Sequence, residues 1–125
     1  MVTRGTTKAA GEAGEARALA HLLGQGLALV QRNYRVARGP RARGGEVDLI
    51  MRDRDGTLVF VEVRARRSAS FGGAAASVSA TKQRSLVLAA QYFLSTQRTL
   101  PPCRFDVIAI DGDRIEWLRS AFDAS

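Results

Sequence analysis

Two acidic residues lie in predicted strands whose other residues are mostly apolar. Glu62 is in 58–65 (LVFVEVRA), on the face that also carries a leucine and a phenylalanine, because strand side chains alternate between two faces. Asp48 is in 46–51 (EVDLIM), on the face that also carries an isoleucine. A carboxylate in such surroundings is costly unless it is paired or bound to a cation. The two acids are therefore the first candidates for chemistry.

The loop between these two strands indicates how they face each other. A three-residue loop, Arg54–Gly56, with its glycine in the left-handed conformation, is a favoured hairpin connection. Asp53 then pairs with Thr57, and the same register carries Asp48 opposite Glu62. Opposed side chains begin about 5 Å apart at Cβ, and two like charges there destabilise a hairpin. A cation is therefore expected beside the two acids.

Arg64 lies two residues after Glu62, on the same face of the strand. Carboxylate oxygens, with no His or Cys nearby, are the ligands that Mg²⁺ or Mn²⁺ prefers. Such a metal can activate water and stabilise charge on a phosphodiester, and a neighbouring guanidinium can help hold that charge. The residues leave two interpretations open: a metal site formed by Asp48 and Glu62, or a structural ion pair between Arg64 and these acids.

The spacing of apolar residues predicts the elements that position these side chains. A helix is predicted from about Ala9 to Gly24, and a second from its N-cap Ser79 to about Gln97. Strands are predicted at 27–36, 46–51, 58–65, 104–110 and 114–118. The fold class is therefore α+β, with residues 1–8 as a flexible tail and 9–125 as a single domain. Asp106, in an apolar strand, is predicted to be a buried partner for an arginine.

Composition and charge narrow the class of partner. The 125 residues, with a net charge of +7, suffice for one domain and favour an anionic partner such as nucleic acid. One cysteine excludes a disulfide framework within the chain and a cysteine-cluster zinc site. The absence of a long apolar run or of a secretory signal in the sequence predicts a cytoplasmic protein with no membrane partner.

Basic residues flank the predicted hairpin at the end away from its loop. They are Arg38, Arg41 and Arg43 before the first strand, and Arg66 and Arg67 at the end of the second. These positions are neighbours in an antiparallel hairpin. We therefore predict that the five arginines contact a phosphate backbone without reading base sequence.

Several stretches of the chain resemble one bacterial family. The segments GEVDLI (45–50) and LVFVEVRARR (58–67), together with NYR (33–35), TKQR (81–84) and RFDVI (104–108), are similar to the YraN-like proteins. That family looks like the restriction-endonuclease-like nucleases, whose motif is an Asp, then an Asp or Glu, any residue and a Lys. The resemblance implies a core of order αβββαβ, with a mixed central sheet flanked by helices.

The resemblance also implies roles for particular residues. Asp48 matches the first acid, Glu62 the second and Arg64 the lysine position, while Glu15 matches a further acidic metal ligand from the first helix. Arg64 departs from the pattern, because a guanidinium stays protonated and cannot act as a general base. Lys82, at the start of the second long helix, is the candidate to supply an ammonium group instead.

Three functions follow as hypotheses. The leading one is a nuclease-fold protein that uses Mg²⁺ or Mn²⁺ to cleave DNA phosphodiesters, with structured or branched DNA as a suitable substrate. The alternative is a nucleic-acid-binding module that keeps the fold and lacks hydrolysis, and the third is a protein-interaction scaffold. A homodimer would suit cleavage of two strands, although no stripe of residues marks an interface.

Overall fold

A computed structural model describes residues 3–37, 39, 43–66 and 78–124, and of residues 3–10 and 66 it describes the backbone alone. The elements, in chain order, are α1 (Thr3–Gly24), β1 (Ala28–Val36), β2 (Gly45–Arg52), β3 (Leu58–Arg66), α2 (Ala80–Leu94), β4 (Cys103–Asp111) and β5 (Arg114–Phe122). This order confirms the predicted α+β class and the αβββαββ arrangement.

The described strands form a mixed sheet in the order β1-β2-β3-β4-β5. Strands β3 and β4, which are joined through α2, pair in parallel, and the other neighbours pair antiparallel. The helices cover opposite faces. On one face Leu22 of α1 packs with Val59 and Val61, and on the other Phe93 of α2 packs with Phe60. The alternation predicted for β3 is therefore confirmed.

The hairpin between β2 and β3 closes as predicted. The Asp53 amide donates to the Thr57 carbonyl at 2.9 Å, and the Gly56 amide donates to the Asp53 carbonyl at 3.0 Å. Gly56 has a φ of +91°, the left-handed conformation that this loop requires. The loop therefore fixes the register of the two strands that carry Asp48 and Glu62.

Three element boundaries differ from the prediction by three or more residues. Helix α1 begins at Thr3 rather than Ala9, so residues 3–8 are helical backbone instead of the expected tail. No proline interrupts that segment, and extending an existing helix is far easier than nucleating one. Helix α2 ends at Leu94 rather than at about Gln97. The amides of Thr96 and Gln97 still donate to carbonyls three residues earlier, so helix-like turns continue to Gln97.

Strand β5 also runs further than predicted, to Phe122 instead of Leu118. Its alternation is hidden by an irregularity opposite β4 and by Ser120, whose φ is +50°. The added length is stabilised by stacking of Phe122 on Phe105, with ring centroids 5.1 Å apart.

Asp106 is a buried acid on β4 that links this strand to its neighbour β5. Its carboxylate accepts hydrogen bonds from Arg104 Nε at 3.1 Å, Trp117 Nε1 at 2.9 Å and the Ser120 amide at 2.9 Å. Arg104 also donates to Asp53 at 3.0 Å, which ties the β2–β3 loop to β4. The prediction that Asp106 is a buried partner for an arginine is confirmed. Within the described ranges, no helix is long and apolar enough to cross a membrane.

Gly45, at the start of β2, allows the strand to lie directly against α2. A Cβ there would be 2.6 Å from the Ser85 carbonyl oxygen and 2.8 Å from the Ala89 amide nitrogen, so backbone would have to move. We expect Gly45→Ala to lower the free energy of unfolding by about 2–3 kcal/mol, measured by urea denaturation. Gly24→Ala is the matched control, since a Cβ there meets nothing within 4 Å. Equal effects of the two substitutions would contradict this account of Gly45.

Candidate functional site

Strands β2 and β3 separate just where their acidic residues begin. The ladder runs from Arg52–Leu58 to Leu49–Val61 and stops there, so Asp48 and Glu62 occupy the next opposed positions. This register agrees with the one predicted from the loop. In place of a further ladder bond, Asp48 Oδ2 accepts a hydrogen bond from the Val63 amide at 2.8 Å. The Asp48 carboxylate thus lies between the two strands.

Glu62 is buried among charged groups from three elements. Its side chain is 3% exposed, and its Oε2 lies 3.7 Å from Lys82 Nζ and 3.9 Å from Arg64 Nη1. Lys82 is brought there by the start of α2, because the N-cap Ser79 accepts a hydrogen bond from the Lys82 amide at 3.1 Å. Capping of α2 therefore fixes the backbone of Lys82 at a point from which its side chain reaches Glu62.

The electrostatics of the site favour a bound proton on Glu62. Burial, followed by the charge of Asp48, raises the pKa of Glu62 to about 8, and a hydrogen bond from the protonated acid to Asp48 adds to the shift. The charges of Lys82 and Arg64 lower the pKa of Glu62, but by less than burial and Asp48 raise it. Two cations at 3.7 and 3.9 Å therefore do not compensate the burial of Glu62. A second negative charge beside Asp48 is therefore unfavourable in the metal-free protein.

Helix α1 contributes a third carboxyl group. Burial, followed by the charge of Asp48, raises the pKa of Glu15. Arg32 and Asn33 lower the same pKa without overcoming these two causes. The structure therefore brings together Glu15, Asp48, Glu62, Arg64 and Lys82, the five residues selected from the sequence as catalytic or metal-binding candidates.

The donor set of this site suits a hard divalent cation. Among the described residues, no three His, Cys, Asp or Glu side chains are grouped closely enough to hold a metal ion by themselves. Mg²⁺ is commonly held by one or two carboxylates, with water and phosphate oxygens completing its coordination. Asp48 and Glu62 fit that requirement as a pair. Direct ligation by Glu15 stays a prediction.

The predicted phosphate-binding arginines are described only in part. Arg38, Arg41 and Arg67 lie outside the described residues, and the side chain of Arg66 does as well. Arg43 is exposed and lines a groove of about 1190 Å³ along the first turns of α2. The same groove is lined by Lys82 and Arg84, so it adjoins the carboxylate site.

Arg32 and Asn33 of β1 lower the pKa of Glu15, and the sequence analysis did not select either residue. A signal was present in the chain, because asparagine is depleted in strands and yet stands within the predicted segment 27–36. The apolar residues of β1 do not alternate regularly, so the sequence did not indicate on which side of the sheet Asn33 would lie.

The fold and the acidic site define a small α+β protein, and comparison with known proteins gives its family. Residues 14–110 match the model of the Uncharacterised protein family UPF0102, and the chain belongs to this family. It is 66% identical over 120 residues to a UPF0102 protein of Methylibium petroleiphilum, covering 96% of this chain and 98% of that one. It is 60% identical to one from an Acidovorax species, covering 96% and 89%. The YraN-like resemblance is thereby confirmed.

Proposed function

We propose that this protein is a metal-dependent nuclease of the restriction-endonuclease-like type that acts on DNA phosphodiesters in the cytoplasm. One observation carries the proposal: Glu62 is buried beside Asp48, and the cations Lys82 and Arg64 lie 3.7 and 3.9 Å from it. Strongly perturbed acids grouped with cations are typical of functional sites. A purely structural ion pair would instead be expected to compensate its buried charge.

The residues have distinct roles in this proposal. Asp48 and Glu62 would hold Mg²⁺ or Mn²⁺, which when bound supplies Lewis-acid stabilisation of the phosphate and an activated water. The Val63 amide fixes the orientation of Asp48. Arg64 stays protonated and binds a phosphate oxygen. Lys82 presents a compact ammonium group from α2, on the side of Glu62 that the helix covers.

The charge of the protein supports a nucleic-acid substrate. The net charge is +7, and Arg43, Lys82 and Arg84 line a groove that adjoins the acids. Contacts from such side chains to phosphates release counterions, so binding to DNA should weaken steeply as salt increases. None of the described residues that line the groove is aromatic, so the groove offers no ring on which a base could stack. This favours binding through the backbone and substrates distinguished by shape.

The proposal is tested by incubating the purified protein with linear, branched and single-stranded DNA, and with RNA, in MgCl₂, MnCl₂ or EDTA. Cleavage in the presence of metal and none in EDTA would support it. Light scattering of the protein with and without a branched substrate shows whether a homodimer binds. Metal-independent cleavage would contradict the role given to the acidic pair.

Lys82 is expected to be required for cleavage. Lys82→Ala removes the ammonium group that lies 3.7 Å from Glu62, and we expect the cleavage rate to fall by about 10²-fold. The measurement is a single-turnover rate with a labelled DNA in MnCl₂. Arg98→Ala, which removes an exposed cation outside the site, is the control. Cleavage by Lys82→Ala at the rate of the unaltered protein would remove Lys82 from the mechanism.

A second candidate function is a nucleic-acid-binding module without hydrolysis. The observation that favours it is Arg64, since a guanidinium occupies the position beside Glu62 where the resembled nucleases carry a lysine. This candidate predicts salt-dependent DNA binding in gel shifts with no cleavage under any metal. The absence of binding even at low salt would exclude both candidates.

A further inference from the structure

The first turn of α2 carries Lys82 and is not held by apolar packing. The buried residues of this helix are Leu86, Ala89, Ala90 and Phe93, so none lies within 80–85. The side chain of Lys82 is itself 37% exposed, although its Nζ lies 3.7 Å from Glu62 Oε2. Holding a long side chain in one place costs conformational entropy. Polar contacts of residues 80–85 are therefore needed to keep the ammonium group beside the acid.

Ser85 joins this segment of α2 to the sheet. Its Oγ accepts a hydrogen bond from the Glu46 amide at 3.1 Å, and the contact is partly buried. Serine hydroxyls within helices commonly bond to carbonyls of the preceding turn, whereas Ser85 holds an amide of a neighbouring strand. Glu46 lies on β2 two residues before Asp48. The bond therefore connects the helix that carries Lys82 with the strand that carries Asp48.

The other side-chain hydrogen bonds at the start of α2 are local. Ser79 accepts from the Lys82 amide at 3.1 Å, and Gln83 Nε2 donates to the Val78 carbonyl at 3.1 Å. These bonds shape the first turn from within and set no direction relative to the sheet. Among the described residues, only the hydrogen bond to Ser85 reaches a strand from this part of the helix.

The backbone of β2 lies against the same turn of α2. A Cβ on Gly45 would be 2.6 Å from the Ser85 carbonyl oxygen and 2.8 Å from the Ala89 amide nitrogen. This close contact fixes the distance between strand and helix, but a residue without a side chain does not fix the rotation of the helix about its axis. A hydrogen bond is directional and weakens steeply when its angle departs from linear. The bond from the Glu46 amide to Ser85 therefore supplies the rotational restraint.

Restraint of Ser85 is transmitted directly to Lys82. The two residues are three apart in α2, so they are neighbours on the same face of the helix. A rotation of α2 that broke the bond to Ser85 would also turn Lys82 away from Glu62. The strand amide and the buried acid are thus reached together, at one orientation of the helix.

We infer that Ser85 is a positioning residue for Lys82: by holding the Glu46 amide, it sets the rotation of α2 at which the ammonium group reaches Glu62. The inference rests on the proposed function, because the position of Lys82 matters for the proposed cleavage. Displacement of a group that takes part in a reaction by about 1 Å can lower the rate about 10²-fold. Ser85 acts through Lys82, so we expect its loss to cost less, about 10-fold.

The position of Lys82 can be measured without reference to activity. Lysine occurs in the chain only at positions 8 and 82, so ¹³C-labelled lysine gives two Cε signals in an NMR spectrum, and that of Lys8 serves as the reference. Glu62→Gln should shift the Lys82 signal, because it removes the neighbouring carboxylate. Ser85→Ala removes the acceptor and favours the helix, and in this variant Glu62→Gln should shift the Lys82 signal much less.

Cleavage and matched variants complete the test. The single-turnover rate in MnCl₂ should fall about 10-fold in Ser85→Ala, and adding this substitution to Lys82→Ala should lower the rate no further. Ser95→Ala is the control, since that hydroxyl lies at the other end of α2 and donates to the Tyr92 carbonyl at 2.6 Å. Ser85→Thr keeps a hydroxyl and should retain most of the rate.

Three results would overturn the positioning role of Ser85. They are an equal response of the Lys82 signal to Glu62→Gln with and without Ser85→Ala, an additive loss of rate with Lys82→Ala, and equal losses in Ser85→Thr and Ser85→Ala. If the unaltered protein cleaves no DNA, the proposed function fails, and the Lys82 signal still decides whether Ser85 positions Lys82.

Discussion

Asp48→Asn is expected to reduce metal-dependent DNA cleavage by at least about 10³-fold. The substitution removes one of two carboxylates that would hold the metal, and metal stabilisation of a phosphoryl transition state amounts to several kcal/mol. The fold should be unaffected, because the side-chain carbonyl oxygen of an asparagine can still accept the hydrogen bond from the Val63 amide. Repulsion against Glu62 also disappears. The measurement is a single-turnover cleavage rate in MnCl₂, with circular dichroism to verify folding.

The matched control for this prediction is Asp113→Asn. Asp113 is an exposed carboxylate in the turn between β4 and β5, so its removal changes the net charge equally and leaves the acidic site intact. Both variants are purified identically, which makes a contaminating nuclease visible as activity shared by all samples. Equal cleavage by the two variants would refute the assignment of Asp48. Loss of cleavage in Asp48→Asn with unchanged DNA binding would confirm that the acid acts on the reaction.

The core of the site was predictable from the sequence because local geometry determines it. The three-residue loop ending at Gly56 fixes the register of β2 and β3, and that register carries Asp48 opposite Glu62. The expected buried surroundings of Glu62 follow from strand alternation, which the structure bears out on β3. Glu15 and Lys82 were selected through resemblance and elimination, and their proximity to the pair depends on how two helices pack.

What the sequence did not reveal is the departure from regular strand geometry. The prediction treated β2 as strictly alternating, whereas Val47 and Ile50 pack on the same side of the sheet and the ladder to β3 ends at Leu49. Asn33, with its positive φ, is part of the same irregularity. Such features arise from contacts between elements distant in the chain, so no local pattern predicts them.

Glu62→Gln is expected to make the metal-free protein more stable at alkaline pH. Burial and Asp48 raise the pKa of Glu62 to about 8, from 4.5 for the free side chain. Between these values the folded protein keeps a proton that the unfolded chain releases, so the stability of the unaltered protein falls as pH rises through this range. Below about pH 4.5 both states are protonated and the penalty is absent. Above about pH 8 the penalty is fully present and reaches at most about 5 kcal/mol.

The glutamine variant lacks the titrating group. Its free energy of unfolding should therefore exceed that of the unaltered protein by little at pH 4.5 and by most above pH 8. Urea denaturation in EDTA across this range measures it, with Glu116→Gln, an exposed acid on β5, as the control. Adding MnCl₂ at pH 8 should raise the melting temperature of the unaltered protein and leave Glu62→Gln unchanged, because a cation that binds the ionised acids offsets their repulsion. A pH profile of Glu62→Gln parallel to that of the unaltered protein would show that Glu62 is compensated in the fold, and the acidic pair would then lose its reason to bind a metal.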